Sequence, residues 1–128
     1  MSGKILIVDD EVHIRMLLEQ TLEELEEDPG VTILSASNGE EGLALIRDEK
    51  PDVVFLDIMM PKLNGYEVCQ RVKEDGATSG CSIVLLTAKG QEVDRKQGLE
   101  MGAAMYMTKP FDPDEVLKVA RDLLGITA

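Results

Sequence analysis

The chain has 128 residues, and 25 acidic against 13 basic side chains leave a formal charge of −12 at pH 7. That length suits one domain, and with 44% hydrophobic and 30% charged residues the composition is that of a folded globular protein, not a disordered or membrane-spanning one. A domain this acidic repels nucleic acid and anionic membrane, and no charged-then-apolar signal segment opens it, which points to the cytoplasm.

The first apolar run, residues 4–8, predicts a strand, and Asp9-Asp10-Glu11 follows it. Ile14, Leu17, Leu18, Thr21, Leu22 and Leu25 then recur at helical spacing and predict a helix whose apolar stripe faces a core. His13 near its start reads as a surface residue, and the six acids from Glu19 to Asp28 read as a solvated face. Residues 31–36 predict the second strand, ended only by Ser37 and Asn38. Asn38-Gly39 and Asn64-Gly65 punctuate the starts of the second and third helices. Between them, residues 52–56 form the most apolar strand, and Asp57 stands alone after it.

Cys69 reads as a buried thiol among Tyr66, Val68 and Val72, and neither it nor Cys81 fits a disulfide scaffold. The fourth strand, 82–86, leads to Thr87, and a fourth helix over roughly 91–101 has a poor apolar stripe. In the fifth, 104–108, Met105 and Met107, with Met101 before them, divide between core packing and an adaptable docking surface, and Lys109-Pro110 follows. The last helix has Asp112 as N-cap and Pro113 at its first position. Its stripe is Val116, Val119, Ala120, Leu123 and Leu124, and Gly125 ends it.

Alternating strands and helices over residues 1–128, with no linker and no second domain, predict an α/β fold: a doubly wound parallel sheet covered on both faces. Ligands of such folds bind beyond the carboxyl ends of the strands. Four of the five ends here carry Asp9 and Asp10, Asp57, Thr87 and Lys109. Each alone also reads as a loop cap or a solvated side chain; gathered on one edge they read as a site. Three hard oxygen anions without a His or Cys cluster suit Mg²⁺. Carboxylates, a metal, a hydroxyl and an ammonium suit phosphoryl transfer, with Asp57 as nucleophile and Asp9 and Asp10 holding the metal.

Ile5-Leu6-Ile7-Val8-Asp9-Asp10-Glu11, Asp57-Ile58-Met59-Met60-Pro61 with Gly65, Leu86-Thr87-Ala88, Gly102-Ala103 and Thr108-Lys109-Pro110-Phe111 together resemble the receiver domain of two-component response regulators. The resemblance covers essentially the whole chain. It implies a flavodoxin-like (βα)5 fold with strand order 2-1-3-4-5. It implies that Asp57 accepts a phosphoryl group, with Mg²⁺, from a histidine kinase or a histidine phosphotransfer protein. Asp10 then ligates the metal directly, Asp9 acts largely through water, and the Met59 backbone carbonyl is the third protein ligand. Lys109 matches the family's ammonium, joined to Pro110 by a cis bond. Thr87 and Tyr106 match a switch pair that changes the surface of the fourth helix, fifth strand and last helix, and so regulates a downstream effector.

The same resemblance implies a protein that is no enzyme in the ordinary sense: it catalyses only its own phosphorylation and slow autodephosphorylation, as a monomer or a phosphorylation-dependent dimer. Met59 and Lys89 stand where the family tunes that hydrolysis, and Met59 offers no strong hydrogen bond to an attacking water. Many DNA-binding members carry acids where Ala104 and Met105 stand, so their charged dimer contact lacks those acids here. Three rivals share parts of the pattern. A pseudo-receiver that binds without phosphorylation lacks one of the five key residues, and here all are present. A haloacid-dehalogenase-like Mg²⁺ phosphatase needs a second acid where Met59 stands. A flavodoxin-like binding module that is never phosphorylated needs a phosphate loop where Asp9-Asp10-Glu11 stands.

Overall fold

The apolar runs form strands because branched side chains pack well on a pleated sheet buried on both faces. In the computed structural model, which describes residues 3–27, 30–61, 63–88, 100 and 102–126, these strands are β1 (Lys4–Val8), β2 (Thr32–Ala36), β3 (Val53–Asp57), β4 (Ser82–Ala88) and β5 (Met105–Lys109). They pair in parallel in the order β2-β1-β3-β4-β5, the predicted topology. Helices α1 (Val12–Glu27), α2 (Gly39–Glu49), α3 (Gly65–Glu74) and a C-terminal helix (Pro113–Leu124) cover the sheet. Lys89 and, apart from Glu100, the predicted fourth helix over 91–101 lie outside the described residues.

Alternation along the strands divides the core into two layers. Leu6, Val8, Val54, Leu56, Ile83 and Leu85 face Leu43 and Ile46 of α2 and Val68, Cys69 and Val72 of α3. Ile5, Ile7, Val53, Phe55, Val84, Leu86 and Met107 face Leu18, Leu22 and Leu25 of α1 and Val116, Val119 and Ala120 of the C-terminal helix. Phe55 is fully buried, and its truncation to Ala is worth about 3–5 kcal/mol. Both cysteines are buried and free, and burial pushes each thiol up to about 11 despite the nearby Lys73.

Local chemistry sets the helix ends. Asn38 accepts from the Glu41 N–H, and Asn64 and Glu67 form a reciprocal capping box at α3. Asp112 accepts from the Asp114 N–H, Pro113 follows it, and Gly125 closes the last helix with φ of 74°, a left-handed conformation that glycine adopts without a Cβ clash.

Two expectations shift. Strands β3, β4 and β5 run one or two residues further than predicted, so Asp57, Thr87 and Lys109 are the terminal or near-terminal residues of strands and not of loops. The α1 stripe is narrower than its sequence period: Leu18, Leu22 and Leu25 are buried, but Leu17 is 40% exposed. At about 100° per residue Leu17 lies a quarter-turn from Leu18, beyond the reach of the sheet. His13 is exposed and Met107 buried, whereas Met105 is half-buried.

Candidate functional site

The sheet register assembles the site. Pairing of β1 with β3 ends at Val8–Leu56, so the next residues, Asp9 and Asp57, stand side by side. Asp57 still pairs with Leu86 of β4, and β4 in turn sets Thr87 against Thr108 and Ala88 against Lys109. The carboxyl edge therefore gathers residues that lie up to 100 positions apart in the chain.

Asp9 is fully buried, and its Oδ2 has a charged neighbour but no hydrogen bond. Its N–H donates to Ala36 O at 3.2 Å, and its Oδ1 accepts from the Glu11 N–H at 2.9 Å. Its carbonyl accepts from the Arg15 guanidinium at 2.6 Å, and its Oδ2 meets the Lys109 ammonium at 2.9 Å. Asp10, next in the chain, is exposed. Lys109 also lies 3.5 Å from Glu11 Oε1 and 3.7 Å from Asp57 Oδ1.

Asp57 is buried and its Oδ1 accepts from the Met59 N–H at 3.2 Å, while the Met59 side chain is 58% exposed. Gly65 packs under this turn: its N–H donates to Ile58 O at 3.0 Å. A Cβ there would stand 2.5 Å from Asp57 O and 2.8 Å from Ile58 Cα. Only glycine lets α3 begin so close to the acidic strand end.

Charge follows from this packing. Burial, with the negative charge of Asp9 and more weakly Asp10, pushes Asp57 up to about 7, although Lys109 and the Met59 N–H pull it down. Burial by itself lowers the Lys109 ammonium. The close contact with Asp9 and the charges of Asp57, Asp9 and Glu11 outweigh it, so its pKa lies above the ordinary lysine value. One oxygen from each of Asp9, Asp10, Glu11 and Asp57 falls within 4.8 Å of the others. A single ammonium leaves such a set with excess negative charge, and hard oxygen donors of this kind fit Mg²⁺.

Thr87 and Tyr106 occupy the other layer. The Thr87 hydroxyl lies 3.5 Å from Met107 O and 3.4 Å from Thr108 Oγ1, and Tyr106 is half-buried against the layer of α2 and α3. The structure thus joins Asp9, Asp10, Asp57, Lys109 and the Met59 backbone, and sets Thr87 and Tyr106 on the neighbouring strands. Two further residues belong to the cluster. Arg15 gives no sequence signal beyond its place on α1. Glu11 gives a faint one: it immediately precedes a helix, where Ser, Asp or Asn usually caps.

The chain's similarities agree with this geometry. Residues 5–121 match the family model described as the response regulator receiver domain. The ycf27 protein of Guillardia theta is 51% identical over 124 residues, which are 97% of this chain and 46% of that protein. Protein PilH of Pseudomonas aeruginosa is 41% identical over 123 residues, covering 96% of this chain and 98% of PilH. The solved chemotaxis response regulator CheY4 of Vibrio cholerae superposes with a TM-score of 0.84 at 28% identity, covering 96% of this chain and 99% of its own. The chain spans about half the length of the ycf27 relatives and nearly all of PilH. Among the described residues no helix is long and apolar enough to cross a membrane.

Proposed function

The chain belongs to the response regulator receiver domain family, and from that premise we propose that it is a phosphorylation-dependent switch with Asp57 as acceptor. What supports the reading is one arrangement: a buried carboxylate beside a second, with a lysine ammonium 3.7 Å from the acceptor oxygen and 2.9 Å from its neighbour. An Asp57 oxygen attacks the phosphorus of a phosphohistidine on a histidine kinase or histidine phosphotransfer protein. The O–P bond forms as the P–N bond breaks, and the leaving imidazole nitrogen takes one proton from solvent.

Asp10, Asp57 and the Met59 carbonyl would hold Mg²⁺, with Asp9 acting through water; the ion would supply positive charge for the phosphoryl oxygens. Lys109 supplies a second positive charge, and the Thr87 hydroxyl turns to donate to a phosphoryl oxygen. Tyr106, on the strand beside Thr87, follows into the space so opened, and the surface it leaves is read by a downstream effector. The chain turns over no external substrate; it catalyses its own phosphorylation and a slow hydrolysis governed at Met59 and Lys89. Residues 1–128 act as one receiver unit in the cytoplasm, and the charge of −12 leaves any contact with nucleic acid to another polypeptide segment.

Incubation with Mg²⁺ and a small acyl phosphate tests this. The intact mass gains one phosphoryl group, and Asp57→Asn abolishes the gain. Catalytic turnover of phosphate esters, the behaviour of the rival phosphatase, overturns it.

A further inference from the structure

The Lys109 ammonium is shared among three carboxylates and sits closer to Asp9 and Glu11 than to Asp57: 2.9 and 3.5 Å against 3.7 Å. Glu11 is the least constrained of the three by packing, with its side chain 57% exposed at the mouth of the cluster. It directly precedes α1, where a shorter polar side chain would satisfy a helix N–H. Its carboxylate instead reaches across to β5, 98 residues on. The backbone that carries it is fixed: its N–H donates to Asp9 Oδ1 at 2.9 Å, and its carbonyl accepts from the Ile14 and Arg15 N–H groups, each at 3.2 Å.

We infer that Glu11 is a positioning residue whose carboxylate detains Lys109 on the Asp9 side of the site, so that acceptance of a phosphoryl group requires the Glu11–Lys109 contact to be given up. The inference rests on Asp57 as acceptor. Phosphoryl oxygens arrive at Asp57, and Lys109 meets them only by moving off the two acids that hold it. The Asp9 contact is buried and belongs to the resting fold. The Glu11 contact is exposed and reversible, and a pair of that kind holds its partners by about two- to fivefold in equilibrium. Glu11 acts through Lys109 and needs no contact with the phosphoryl group or the metal.

Two substitutions separate this detention from a general effect of negative charge at the mouth. Glu11→Asp keeps the charge but withdraws it by one methylene, out of reach of Lys109. Glu11→Gln removes the charge altogether. With saturating Mg²⁺ and a small acyl phosphate, the limiting rate of Asp57 phosphorylation rises about two- to fivefold in both variants. The half-saturating donor concentration falls only in Glu11→Gln, because only there does the anionic donor meet less repulsion.

A limiting rate in Glu11→Asp no higher than in the wild type, where the wild type is itself phosphorylated on Asp57, overturns the inference alone. A wild-type chain that takes no phosphoryl group on Asp57 overturns the acceptor reading and this inference with it. Calorimetric titration with Mg²⁺ gives the remaining arm. A loss of affinity in Glu11→Asp of tenfold or more makes Glu11 a metal ligand, against the inference, and a smaller change agrees with it.

Discussion

Lys109 and Asp9 close a 2.9 Å ion pair over the sheet edge, although β3 and β4 both lie between the strands that carry them. The pair ties β5 to the loop after β1 and encloses Asp57 on its way. Asp9 has no exposure and Lys109 little, so neither charge has water to fall back on. A buried pair is costly to form, and removing one partner is costlier still.

Lys109→Met is therefore expected to destabilise the metal-free chain by about 3 kcal/mol, because Asp9 is left enclosed without its partner. Asp9→Asn in the same chain recovers part of that loss. Urea unfolding of the two single variants and the double variant measures the coupling; strictly additive losses would show that the pair contributes nothing.

Asp57 gives the metal-free chain a distinctive pH dependence. Below its ordinary pKa of 3.8 folded and unfolded chains both hold the proton. Between 3.8 and about 7 the folded chain keeps it while the unfolded chain releases it. Stability attributable to this residue thus falls as pH rises through that window and is fully lost above about 7. Asp57→Asn removes the dependence, so its advantage over the wild type grows by on the order of 2–4 kcal/mol between pH 4 and pH 8. Denaturation curves without divalent ions check this, parallel profiles for the two proteins count against it, and added Mg²⁺ narrows the gap at pH 8.

Gly65→Ala is expected to cost about 2–4 kcal/mol and to weaken Mg²⁺ binding. The new methyl would press on the Asp57 carbonyl and the Ile58 Cα, and both are backbone atoms with little freedom to yield. Thermal unfolding together with Mg²⁺ titration reads both effects. A variant as stable as the wild type, with full metal affinity, would mean that the turn after β3 moves freely.

Met59→Asn replaces an exposed thioether beside Asp57, the proposed acceptor, with a group able to orient water. Hydrolysis of the aspartyl phosphate should accelerate by roughly three- to tenfold, the worth of about one added hydrogen bond. Decay of the phosphorylated mass after removal of the donor measures it. Rapid decay in the wild type, unaltered by the substitution, would place the control of hydrolysis elsewhere.

Periodicity and punctuation disclosed most of the fold because the forces involved are local. Asn38, Asn64 and Asp112 cap helices from within a few residues, and the β1 and β3 runs are apolar on both faces whatever they pair with. The acids at strand ends were legible for a related reason, since a parallel sheet carries all its carboxyl ends to one edge. Leu17 was misplaced because the breadth of a buried helix face depends on its neighbours and not on its own period. The Glu11–Lys109 and Arg15–Asp9 contacts were illegible because each depends on side-chain reach across a gap that only the assembled sheet defines. The elevated pKa of Asp57 was hidden for the same cause: it arises from enclosure, and no sequence pattern states how enclosed a strand end will be.

The alternation of the strands also partitions the edge. Asp9, Asp57 and Lys109 follow the residues that pack on α1 and the C-terminal helix, whereas Thr87 and Tyr106 follow those that pack on α2 and α3. The charged groups and the Thr87–Tyr106 pair thus stand on opposite sides of a wall one backbone thick, and they meet only at its rim. Substitutions on the Tyr106 side can therefore change that surface while the acids on the other side keep their packing.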